Sequence, residues 1–103
     1  MDQVRSIHDV PIRLTEERWQ HITTSHPEMA EYYHDILKTV DSPKQVFKGE
    51  NGTIVALRKI ESNHHIVVIY KEVSSDDGFI ITAFITSKPE SFREGEKIWP
   101  RPT

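Results

Sequence analysis

The sequence contains no cysteine. Disulfide staples and thiolate metal sites are therefore excluded, which suits a reducing compartment. It also lacks any apolar run of the roughly 20 residues that cross a bilayer as a helix. The opening Met1-Asp2-Gln3-Val4-Arg5 has no apolar core of the kind a secretory signal needs. The expected location is the cytoplasm, with no membrane contact. Positive charge is not in excess: 13 Lys and Arg stand against 16 Asp and Glu, a net −3 with histidine neutral. A protein that coats nucleic acid without sequence preference needs a basic surface, so that class is excluded. A nuclease with a local cationic pocket is not. Internal repeats and low-complexity segments are also absent.

What is present is one domain of 103 residues, 36% hydrophobic and 28% charged, the composition of an ordinary globular chain. Six histidines are many for this length, and His8, His21, His26 and His34 fall in the first third. Residues 1–10 show no periodicity and read as a loose arm. Pro11 to Leu14 alternates briefly. Thr15 then offers an N-cap, with Glu16 and Glu17 where a helix dipole favours negative charge. Trp19 and Ile22 mark the apolar stripe of this helix. Pro27 disfavours helical backbone at His26, so the helix should end near Ser25. Pro27 also suits the first turn of a second helix. In that helix Met29, Tyr32, Tyr33, Ile36, Leu37 and Val40 recur at helical spacing, and Asp41-Ser42-Pro43 stops it.

Beyond Pro43 the pattern alternates. Short strands are expected at Gln45 to Lys48, Thr53 to Ile60, His64 to Lys71 and Phe79 to Thr86, joined by turns such as Asn51-Gly52. Residues 87–103 read as a proline-rich tail in which Trp99 should dock somewhere. Helices grouped before strands indicate an α+β domain: two N-terminal helices packed on a four-stranded antiparallel meander. Both parities of the strands are apolar, with Ile66, Val68 and Tyr70 on one face and Val67 and Ile69 on the other. The face away from the helices should therefore be covered in part by the tail or by a partner chain.

The residues able to carry chemistry are His21 and His26 near the helix–helix corner, Thr82 and Thr86 on one face of the last strand, and the strand cations Arg58, Lys59 and Lys71. Histidine titrates near neutrality and serves as acid or base without special tuning. With a hydroxyl to hold a phosphate oxygen and a cation to offset charge on the phosphorane, it completes a minimal set for RNA cleavage without a metal. For each residue the plainer alternative is structural: a corner brace, a surface histidine, β-propensity, a solvated lysine. His21 and His26 are five residues apart, the wrong spacing for one helical face, and no acidic third ligand is evident, so no metal site and no cofactor are expected. His64-His65 forms a second, turn-proximal candidate pair.

The stretches Leu14-Thr15-Glu16-Glu17-Arg18-Trp19-Gln20-His21-Ile22, His26-Pro27-Glu28, Asp41-Ser42-Pro43, Val67-Val68-Ile69-Tyr70-Lys71 and Ile81-Thr82-Ala83-Phe84 together resemble the phage-associated branch of the barnase–EndoU–colicin–RelE superfamily, the PBECR nucleases. The resemblance spans roughly residues 12–90. It implies a BECR-like fold and metal-independent endoribonuclease activity. By motif position His21 would be the helix histidine, Thr82 the strand hydroxyl, and Lys71 or Arg58 the cation. His26 would stand at the corner in a catalytic or a structural role; Lys59 and Thr86, outside these motif positions, are expected from their residue types to bind substrate. The implied setting is toxin-like or phage-derived, with transfer or messenger RNA as substrate and an antitoxin or immunity protein as partner. The alternative is a non-catalytic protein-binding or regulatory module, including one that forms a homodimer.

Overall fold

A computed structural model describes residues 2–61 and 63–101. Helix α1 covers Glu16–Ser25. The Thr15 hydroxyl accepts a hydrogen bond from the Arg18 backbone N–H at 3.2 Å, satisfying one of the donors a helix start leaves open. Pro27 opens a 3-10 turn, Pro27–Glu31, rather than the second helix itself. Within this tighter turn Met29 is fully buried in the core. Helix α2 follows at Tyr33–Asp41 and buries Ile36, Leu37, Thr39 and Val40.

The strands are β1 (Asp2–Arg5), β2 (Pro11–Leu14), β3 (Gln45–Lys48), β4 (Ile54–Glu61), β5 (His64–Ser74), β6 (Asp77–Thr86) and β7 (Lys97–Trp99). They form one mixed sheet in the order β1-β2-β6-β5-β4-β3-β7. The class is α+β with two α-helices, but the four-stranded meander is corrected to seven strands among the described residues. Residues 2–5, expected in a loose arm, pair antiparallel with β2. Strand β2 adds parallel to β6, and the tail supplies β7 against β3. The alternation of Pro11 to Leu14 marks β2, whereas β1 and β7, with four and three residues, have too few for alternation to stand out from a loop.

Strand β2 is held on β6 by close fit and by charge. Ile12 pairs with Gly78 and Arg13 with Phe79. The Arg13 guanidinium donates to Asp77 at 2.9–3.0 Å. Nearby, Ser6 and His8 both reach the Glu72 carboxylate, at 2.5 and 2.8 Å. Tyr33 on α2 donates to Asp2 at 2.6 Å, a bond that lifts its phenol pKa to about 12.

The inner face of the sheet carries Ile54, Ala56, Ile66, Val68, Tyr70, Ile80 and Ala83 against Ile22, Met29, Ile36, Leu37 and Val40. Each large side chain fully removed from water contributes about 1.5–3 kcal/mol. The outer face holds a smaller cluster of Phe47, Val55, Leu57 and Val67, with Ile69, Phe84 and the tail residue Phe92 packed on it. Strand β6 contains a bulge: Ile69 pairs with Thr82 but Tyr70 pairs with Ile80, so Ile81 is the extra residue.

Gly78 shows how tightly β2 docks. A Cβ there would meet the Ile12 Cδ1 at 2.5 Å and the Lys71 carbonyl oxygen at 2.6 Å. Gly78→Ala is therefore expected to destabilise the fold by about 1–3 kcal/mol through overpacking, against the gain alanine usually brings over glycine in a strand. A denaturant midpoint equal to or above that of the parent chain would contradict this fit.

Candidate active site on the outer face of the sheet

Beyond Phe79, strand β6 has no strand partner on the β2 side. Helix α1 takes that place. The Arg18 guanidinium donates to the Ile81 carbonyl through Nε at 3.0 Å and Nη2 at 2.6 Å, gripping the bulge. His21 lies three residues on from Arg18, so it occupies the same flank of α1. It is exposed. His26, at the end of α1, is half-buried, with its ring 5.4 Å from Phe84.

Phe84 belongs to the outer face, and strand alternation puts Thr82 and Thr86 on that face with it. The register agrees: Thr82 stands opposite Ile69, Phe84 opposite Val67 and Thr86 opposite His65. Lys71, two residues beyond Ile69, shares this face, but its Cε lies beside Gly52 on the β4 side of β5, so the side chain must swing across the strand to reach Thr82. Phe84 also meets Phe92 at 5.2 Å, so its ring touches both His26 and the tail. Next to Thr82 a groove of about 660 Å³ opens over Val55 and Ile69, with Thr53, Phe92 and Glu94 among its walls.

Arg58 does not join this group. It has the parity of Ile54 and Ala56, which point to the helices, and its guanidinium donates to the Ser42 carbonyl at 2.6 Å. Ser42 is the C-cap of α2, so Arg58 complements a helix end rather than a substrate. Lys59 has the opposite parity and pairs with His65 on the outer face. The two expected substrate-binding residues, Lys59 and Thr86, thus flank one histidine that the sequence had ranked behind His21 and His26.

His65 opens into a cleft of about 250 Å³ lined by Lys44, Gln45, Lys59, Arg93, Lys97 and Pro100. No short motif joins these cations. Lys44 precedes β3, Lys59 is on β4, and Arg93 and Lys97 lie in the tail, so only the sheet order brings them together. Burial, aided by Arg93, Lys59 and Lys44 and opposed by Glu90, holds the His65 imidazole below its usual range. Its Nδ1 is shut off from solvent with no hydrogen-bond partner among the described residues. Trp99, 39% exposed, lies instead over a separate hollow with Ile7, Asp41, Ser42 and Pro43.

Among the described residues no three of His, Asp and Glu gather in a way that could hold a metal ion. No helix is long and apolar enough to cross a membrane. Comparisons of the chain with models of known protein families, with curated proteins and with solved structures return no match.

The lowered His65 pKa fixes the sign of one pH effect. Below about pH 6.5 the unfolded chain binds more protons at this position than the folded one, so stability rises with pH there. Above that value the ring is neutral in both states and contributes no slope. His65→Gln should flatten the acid side of a plot of thermal midpoint against pH. An identical slope in parent and variant would show that the ring is as readily protonated in the fold as in water.

Proposed function

We propose that the chain is a metal-independent endoribonuclease whose reaction centre lies on the outer face of the sheet, along the edge of β6. The observation that carries this reading is the seat of His26: its ring stands 5.4 Å from Phe84, on a face that Thr82 and Thr86 share. An imidazole and strand hydroxyls then face the same solvent-accessible surface, with Lys71 on the same face. His21, exposed on the flank of α1 that grips β6, is the second imidazole.

Cleavage by internal transfer uses these parts directly. One imidazole removes the proton of a ribose 2′-hydroxyl, and that oxygen bonds to the adjacent phosphorus. The bond from phosphorus to the 5′-oxygen breaks, and the other ring, as imidazolium, gives its proton to the departing oxygen. Lys71, swung across the strand, offsets the charge that builds on the phosphorane, and the Thr82 hydroxyl donates to a non-bridging oxygen. The products are a 2′,3′-cyclic phosphate and a 5′-hydroxyl. The groove over Val55 and Ile69, with Phe92 at its wall and Lys48, Glu50 and Glu94 at its rim, offers apolar surface for a base lifted out of its stack.

The resemblance of the short motifs to those of PBECR nucleases is consistent with this reading. By that likeness the chain is a toxin-like or phage-derived effector acting on transfer or messenger RNA in the cytoplasm and held in check by a protein partner.

The purified chain should cut RNA in the presence of EDTA and leave cyclic phosphate ends. His26→Ala and His21→Ala should each lower kcat by about 10²–10⁴-fold while far-UV circular dichroism stays unchanged. Arg58→Ala should cut at the parental rate, since Arg58 lies on the other face. An RNA pool left intact by a folded sample at micromolar concentration would overturn the reading and favour the non-catalytic binding module.

A further inference from the structure

The cleft around His65 is distinct from the Thr82 end of the outer face. Four cations from separate segments, Lys44, Lys59, Arg93 and Lys97, converge on it in a chain whose net charge is −3. Among the described residues no carboxylate lines it. Glu90 is the acidic group that acts on the histidine, and the cations outnumber it. Like charges held this close repel, so the arrangement gains most when an anion with several acceptor oxygens sits among them.

The remaining groups fit such a ligand. With Nδ1 of His65 shut off from solvent, the ring nitrogen open to the cleft is Nε2. Thr86, the cross-strand partner of His65, accepts through Oγ1 from the Lys88 backbone N–H at 3.0 Å. Its own hydroxyl hydrogen therefore remains for an acceptor outside the fold. Thr86 lies four residues along β6 from Thr82, ~13 Å at about 3.3 Å per residue. Phe84 and Phe92 lie between the two ends.

We propose that this cleft is a phosphate-binding subsite for single-stranded RNA, holding a backbone phosphate of the same strand whose scissile bond lies at Thr82. It rests on the ribonuclease reading and adds to it a direction: the strand runs along β6, with one phosphate at Thr82, a base beside the phenylalanines and a further phosphate at His65. A ligand phosphate brings negative charge into a ring of cations and so offsets the part of their repulsion that, after burial, disfavours the charged His65 ring.

The test uses a 2′-O-methyl RNA oligomer, which carries the backbone phosphates but not the attacking hydroxyl. Its affinity for the parent chain, Lys59→Gln, Arg93→Gln and the double variant is measured by fluorescence anisotropy over a range of salt concentrations. The four lysines and arginines are solvent-exposed, so the variants should fold, and thermal midpoints check this. Each cation removed should lower the slope of log affinity against log salt by about 0.7, the single-strand value per phosphate contact. The His65 ring resonances should titrate at higher pH with the oligomer bound, in a surround of Lys44, Lys59, Arg93, Lys97 and Glu90. Inorganic phosphate serves as the second probe.

Unchanged salt slopes in folded variants would overturn the subsite while leaving RNA cleavage intact. Saturation of the His65 shift by inorganic phosphate, with no competition from the oligomer, would also overturn it, in favour of a free-anion site. If the oligomer binds with the expected slopes but unmodified RNA is never cut, the cleft stands as an RNA-binding surface and the ribonuclease reading falls.

Discussion

The grip of Arg18 on the Ile81 carbonyl is the constraint on which the outer-face site depends. A strand edge exposes carbonyls that need partners. Strand β2 ends at Leu14 and can serve only the first part of β6. At the bulge the guanidinium takes over, with two charge-assisted hydrogen bonds of the kind that contribute about 1.5–3 kcal/mol to a fold. The helix thereby becomes the neighbour that a further strand would have been. The corner holding His21 and His26 is fixed to the same strand that carries Thr82 and Thr86.

Charge is distributed to match. Several carboxylates of the N-terminal half are engaged with the fold: Asp2 with Tyr33, Glu16 and Glu17 in the first turn of α1, Glu28 facing His26 across 3.9 Å. Asp77 and Glu72 secure β2 and the turn before it. Lys44, Lys59, Arg93 and Lys97 instead collect around His65. An overall negative chain can therefore present a locally positive surface, because potential near a surface follows the nearest few charges within roughly a Debye length of 8–10 Å.

The sequence made the long elements legible. Helix α1 begins at the Thr15 cap and stops before Pro27, and strands β3 to β6 pair as neighbours, because each carries its own period or punctuation. The short outer strands were not legible: Asp2–Arg5 and Lys97–Trp99 have no alternation to show, and their place comes from pairing with distant partners. Site residues followed the same division. Parity set Thr82 with Thr86 and separated Lys59 from Arg58. Parity alone could not tell which cation lies nearest Thr82, and Arg58 stood as a candidate beside Lys71 only by the resemblance; its bond to the Ser42 carbonyl takes it to the helix side. The convergence of Lys44, Arg93 and Lys97 on His65 depends on tail and sheet order together, which no local pattern encodes.

The parallel pairing of β2 with β6 joins residues 12–13 to residues 78–79, across most of the chain. Closing a loop of that length carries an entropic cost that the hairpins of β3 to β6 do not face. The hairpin array can assemble early from contacts near in sequence, whereas β2, and α1 behind it, must wait for β6 to exist. The histidine corner is thus joined to its hydroxyl strand late in folding. The sheet's central ladder can therefore stand before the outer-face corner of His21, His26 and Thr82 is complete.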